Sequence, residues 1–113
     1  MKRGDIYWVR LDPVEDSEQA GIRPAVIVSR DAINQYSPVI VICPMTKAAN
    51  VTRQYPNNVL VCAPEGGLEV DSVILGGQVR AISKNRLLKR LGELGPETMS
   101  HVDQALKITL NLR

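Results

Sequence analysis

The stretches Arg23-Pro-Ala-Val-Ile-Val-Ser29 and Val39-Ile-Val-Ile-Cys43 decide the fold class. Each holds a short, unbroken apolar run rich in β-branched residues. That is the pattern of a strand buried on both faces; a helix would space its apolar positions every three or four residues over a longer span. Pro24 has no amide donor and is tolerated only where such a strand begins. Ser29 closes the first run, and Pro44 and Thr46 mark the exit of the second.

Outward from this pair, Asp5-Ile-Tyr-Trp-Val-Arg-Leu11 reads as a first strand, with Ile6, Trp8 and Arg10 on one face and Tyr7, Val9 and Leu11 on the other. Asp31 to Tyr36 suits a helical turn that Pro38 ends. Asn58 to Cys62, Ser72 to Leu75 and Gln78 to Ile82 return to strand pattern, the last two split by Gly76 and Gly77. From Pro96 to Leu112, Met99, Val102, Leu106 and Leu110 recur at helical spacing, with Pro96 fitted to the first turn. Five to seven short strands and one terminal helix predict a mainly β protein with some α. The expected shape is a small, strongly curved antiparallel sheet or barrel capped by the C-terminal helix.

The 113 residues suit one domain over 1–113, with no room for a second catalytic one. Apolar residues at 44% and charged residues at 23% are ordinary for a globular protein and argue against disorder. The net charge of +2 is too small to announce a polyanion partner, so any nucleic-acid surface must be local. No run approaches the ~20 apolar residues of a membrane-spanning helix, which predicts a cytoplasmic protein without a membrane partner. Cys43 and Cys62 lie among apolar residues and prolines and are expected to be two buried thiols.

Two long polar segments interrupt the strands, Asp12 to Ile22 and Lys47 to Asn57. Long ordered loops in small domains are usually functional. Zinc chemistry finds no support: one His and two distant Cys lack the close spacing such sites use. Glu69 and Asp71 flank a strand and read as a solvated edge. His101 falls beside the apolar stripe of the terminal helix and reads as structural. With no second imidazole, a pair of histidines cannot act as acid and base within one subunit.

What remains are polar residues at strand ends. Arg23 abuts Pro24 and the apolar run, and an always-charged planar fork so placed is shaped to grip a phosphate or carboxylate. An internal ion pair with Glu18 or Asp16 fits equally well. Thr46 reads either as a strand-end turn hydroxyl or as a donor to a ligand.

These motifs resemble the MazF/PemK family of toxin endoribonucleases. The likeness rests on Arg3-Gly-Asp-Ile-Tyr-Trp-Val with Leu11-Asp-Pro, then Ser17-Glu-Gln-Ala-Gly-Ile-Arg-Pro-Ala-Val-Ile-Val-Ser29, Pro44-Met-Thr46, Asp71-Ser-Val-Ile-Leu and Gln78-Val-Arg80-Ala-Ile, and it spans nearly the whole chain. The resemblance implies a PemK-like, SH3-like barrel that pairs as a homodimer. It also implies single-stranded RNA in the groove, a cognate MazE-like antitoxin peptide competing for it, and operator DNA reached only through the antitoxin. Carried over by position, the essential arginine is Arg23, the essential hydroxyl Thr46 and the loop glutamate Glu18. Ser17, Gln19 and Gln78 fall on groove positions, and Lys47, Arg53 and Arg80 supply further charges.

Some relatives carry a histidine directly before the arginine; here it is Ile22, which shifts the burden to Arg23. The implied reaction needs no metal or cofactor: a ribose 2′-hydroxyl attacks the adjacent phosphate of mRNA. Since a guanidinium is a poor proton trader, Glu18 is the expected base. Lys84, Arg86, Lys89 and Arg90 form the densest basic cluster, read as a solvated face or a landing site for an acidic antitoxin. Two readings compete with the nuclease: a non-catalytic inhibitor of DNA gyrase like the CcdB toxins, and a regulator that only binds nucleic acid.

Overall fold

The structure is a computed structural model; it describes residues 1–11 and 20–113. Seven strands are present among these residues: β1 (Asp5–Arg10), β2 (Ile22–Ile27), β3 (Val39–Lys47), β4 (Asn58–Val61), β5 (Ser72–Leu75), β6 (Arg80–Ser83) and β7 (Leu87–Glu93). Helix α1 (Asp31–Tyr36) follows β2, and α2 (Pro96–Leu110) ends the fold. Strands pair antiparallel in the order β4-β5-β3-β2-β1-β7, with β6 also on β3. The mainly β architecture with a C-terminal helix is the expected one. The ladder of described strands does not close: β4 and β7 end it, and β6 pairs only with β3.

The apolar runs are unbroken because alternate residues feed different cores. Ile6, Val26, Val28, Cys43 and Met45 join Val102 and Ala105 of α2 in one cluster, while Val9, Leu11, Ala25, Ile27, Ile40 and Ile42 join Ile82 in the other. Strands β1 to β3 are thus buried on both sides, and each enclosed Ile or Val contributes about 1.5–3 kcal/mol of burial.

Strand β3 is longer than its sequence suggested. It continues through Pro44 and Thr46 to Lys47. Residues Val39–Ile42 pair with β6 and Met45–Lys47 with β5, so Pro44 stands at the changeover, where Gly76–Gln78 interrupt the facing chain. A proline without a donor is tolerated at such a break. Gly76 is required there, because a Cβ would meet the Asn57 carbonyl at 2.5 Å.

Strand β7 has no counterpart in the sequence reading, which placed only a basic cluster across it. Its outward residues, Leu88, Lys89 and Arg90, are exposed and blur the two-residue alternation. On the edge, charged residues blunt pairing with other chains. Arg90 donates to the buried Asp5 carboxylate at 3.2 Å and so fastens β7 to β1; that contact holds the guanidinium pKa further above its ordinary value.

Helix α2 begins with Pro96 at its first turn and ends on Asn111 in the left-handed conformation, whose amide donates back to the last turn. Val102 and Ala105 are buried, and Met99 and Leu106 pack beside them. The apolar stripe stops short of its expected end, since Leu110 is exposed where the helix runs past the sheet. His101 is exposed on α2, beside a small cleft against β4. Arg3 ties the helix to the sheet, pairing with Asp103 and donating its Nε to the Val28 carbonyl at 2.9 Å. The two cysteines differ: Cys43 is buried, but Cys62 is exposed, because it follows the last β4 residue and points away from the core.

Candidate functional site

Both Arg23 and Thr46 line one cleft of about 510 Å³. The β2–β3 ladder explains why. Its pairs are Ile27 with Ile42, Val26 with Cys43 and Ala25 with Pro44, and past this last rung the two strands run on to Arg23 and Thr46 at the same end of the sheet. The cleft therefore opens where β2 starts and β3 ends, a rim that residues of both sheet faces can reach.

Arg23 is half-buried and donates its Nε to the Ala20 carbonyl at 3.2 Å. No carboxylate among the described residues lies within ion-pair distance of it. Glu18 and Asp16, the alternative partners expected from sequence, lie outside the described residues, as do Ser17 and Gln19. Thr46 is only 8% exposed. Its Oγ1 accepts from Asn50 Nδ2 at 3.4 Å, a contact that does not use the hydroxyl's own hydrogen. Lys47, next on β3, also lines it.

The other expected groove residues do not line this cleft. Arg53 is exposed between β3 and β4, Gln78 lies in the short turn between β5 and β6, and Arg80 on β6 donates to the Leu11 carbonyl at 3.4 Å. Strand β6 pairs with the opposite end of β3 from Thr46.

The cleft holds residues that sequence reasoning passed over. Trp8 comes from β1, Lys89 and Leu91 from β7, and Glu69 from the β4–β5 connection. Trp8 carried a signal, being the chain's single tryptophan. Lys89 was hidden within a run of like charges whose strand went unread. Gly67 forms part of the wall and brings its backbone so close to β7 that a Cβ would sit 2.1 Å from the Leu91 carbonyl; its φ of +76° likewise demands glycine.

Among the described residues, three cations, Arg23, Lys47 and Lys89, line this cleft together with one carboxylate, Glu69. That balance suits a polyanion, which the overall charge of +2 did not reveal. Among the described residues, no three of His, Cys, Asp and Glu gather to hold a metal ion. No helix among them is long and apolar enough to cross a membrane.

Comparison with known proteins agrees with this architecture. Endoribonuclease MazF of Staphylococcus saprophyticus is 41% identical over 112 residues, which is 99% of this chain and 92% of that protein. MazF of Deinococcus radiodurans superposes with a TM-score of 0.83 at 27% identity, over 98% of this chain and 96% of that one. An endoribonuclease from mycobacterial species, in complex with its cognate antitoxin, gives a TM-score of 0.82 at 26% identity, covering 100% and 97% of the two chains. Residues 2–110 match the family model described as PemK-like, MazF-like toxin of type II toxin–antitoxin system. With a match of that extent, the chain belongs to the PemK-like, MazF-like toxins of type II toxin–antitoxin systems.

Proposed function

We propose that this chain is a toxin endoribonuclease that cuts single-stranded RNA, mRNA above all, without a metal ion. The observation that carries the proposal is the meeting of Arg23 and Thr46 in one cation-lined cleft. The ribose 2′-oxygen attacks the adjacent phosphorus and the bond to the 5′-oxygen breaks. The products are a 2′,3′-cyclic phosphate and a 5′-hydroxyl. Negative charge grows on the phosphate oxygens in the transition state, and the Arg23 guanidinium and Thr46 hydroxyl are preorganised donors for it. One such donor is worth about 3–4 kcal/mol.

The proton leaving the 2′-oxygen needs a base, and a second proton must reach the departing 5′-oxygen. Glu18 is the base suggested by family position, and Glu69 is a carboxylate that lines the cleft. Glu18→Gln and Glu69→Gln, assayed side by side, assign the role: the base is the one whose loss costs about 10²- to 10⁴-fold in turnover.

In this reading the chain acts in the cytoplasm as a homodimer. A cognate antitoxin silences it by covering the groove. A similar endoribonuclease from mycobacterial species has been solved in complex with its cognate antitoxin. The test is cleavage of a mixed-sequence RNA in excess EDTA, with the end groups mapped. Cyclic phosphate and 5′-hydroxyl ends are expected, and an RNA with 2′-deoxyribose at the cut position should survive intact. Cleavage of the deoxy substrate rejects the mechanism.

A further inference from the structure

We propose that Trp8 and Lys89 form a stacking subsite for the base flanking the cleaved linkage, with Lys89 on the neighbouring phosphate. The proposal rests on the ribonuclease reading above and adds to it the residues that hold the substrate in place.

Tryptophan is among the most buried side chains on average, yet Trp8 is 36% exposed and lines the Arg23–Thr46 cleft. Its cross-strand partner on β2 is Pro24, the residue after Arg23. Facing positions on paired strands lie about 4.5–5.5 Å apart, so the indole shares the Pro24 face, while Arg23, on the other face opposite Val9, reaches the same cleft at its rim. A nucleotide whose phosphate meets Arg23 can therefore splay its base onto the indole, which is how single-stranded RNA is generally held.

A second, independent feature lies on the other side of Trp8. Tyr7 pairs with Arg90 and Val9 with Leu87, so Trp8 alone faces two residues of β7, Leu88 and Lys89. This is a β-bulge, a device that re-aims side chains and is common beside active sites. Here Lys89 lines the cleft, together with Leu91. An aromatic face beside a track of cations is the arrangement of sequence-tolerant single-strand binding.

Trp8 is the chain's single tryptophan, so its fluorescence reports on this position alone. The probe is a single-stranded RNA with a mapped cut site blocked by 2′-deoxyribose. It should quench the full-length chain, and removing one base beside the cut should abolish the quench and raise Kd about 5- to 100-fold. With cleavable RNA, Trp8→Ala should raise KM by the same factor while kcat moves little, and Trp8→Phe should restore most of the affinity. Lys89→Gln should reduce the salt dependence of binding by about 0.7 in log–log slope. If Trp8→Ala does not fold, the base-removal series on the wild type and the Trp8→Phe and Lys89→Gln variants carry the test.

Wild-type KM in Trp8→Ala, or a quench indifferent to base removal, overturns the subsite while leaving the nuclease reading intact. So does a quench produced by antitoxin peptide and not by RNA. A wild-type chain that cuts no RNA removes the reading beneath it as well.

Discussion

Strands β3 and β7 serve the same cleft from opposite positions in the sheet. β3 is central, pairs with three strands and is buried from Ile40 to Thr46 apart from Val41, which is half-buried. β7 is an edge strand, bulged against β1, with Leu88, Lys89 and Arg90 exposed. Under the proposed function this contrast divides the labour: the donor for developing charge would sit on the enclosed strand and the contact to the substrate strand on the edge. Chemistry should therefore be sensitive to β3 and the strand beside it, and substrate affinity to β7.

The largest expected effect is on catalysis. Arg23→Ala and Thr46→Val should each lower kcat/KM about 10²- to 10³-fold with the fold retained, as measured by single-turnover cleavage and circular dichroism. Wild-type rates in either variant break the comparison at its strong end. Next is Gly92→Ala, which attacks β7 where it is tight. A Cβ there would lie 2.7 Å from the Gly66 backbone, and overpacking of this kind costs about 1–3 kcal/mol in a urea melt.

Cys43 on β3 provides a probe of burial. Desolvation pushes its thiol up to about 12 from an ordinary 9.0, with Arg3 opposing slightly. Below pH 9 both folded and unfolded chains keep the proton, so the residue adds no pH dependence. Between pH 9 and about 12 the unfolded chain ionises while the folded one does not, and stability should fall by about 1.4 kcal/mol per pH unit. Thiol labelling at neutral pH should modify the exposed Cys62 at once and Cys43 only on unfolding. The smallest effect is the sharpest contrast of the two strands. Ile42→Val should cost about 0.5–1.5 kcal/mol and Leu88→Val less than about 0.5.

What the sequence revealed follows the same division. The apolar runs of β2 and β3, and the stripe of α2, were legible because burial imposes a period that composition cannot hide. Strand β7 was not, since an edge strand with charges on its open face loses that period and looks like a solvated run. Arg23 was legible as an anomaly, a cation pressed against an apolar run. Lys89 and Glu69 were not, because their place in the cleft depends on a bulge and on a connection between strands, which no local pattern encodes. Cys62 misled for a related reason: apolar neighbours in sequence do not tell which side of a strand's last residue faces solvent.

Under the proposed mechanism, the changeover at Pro44 couples the register of β3 to activity. One continuous strand spans both pairings, so a slip of a single position in its hydrophobic half would turn Thr46 away from Arg23. A variant with loosened packing around Ile40 and Ile42 should thus lose its poison before it loses its structure.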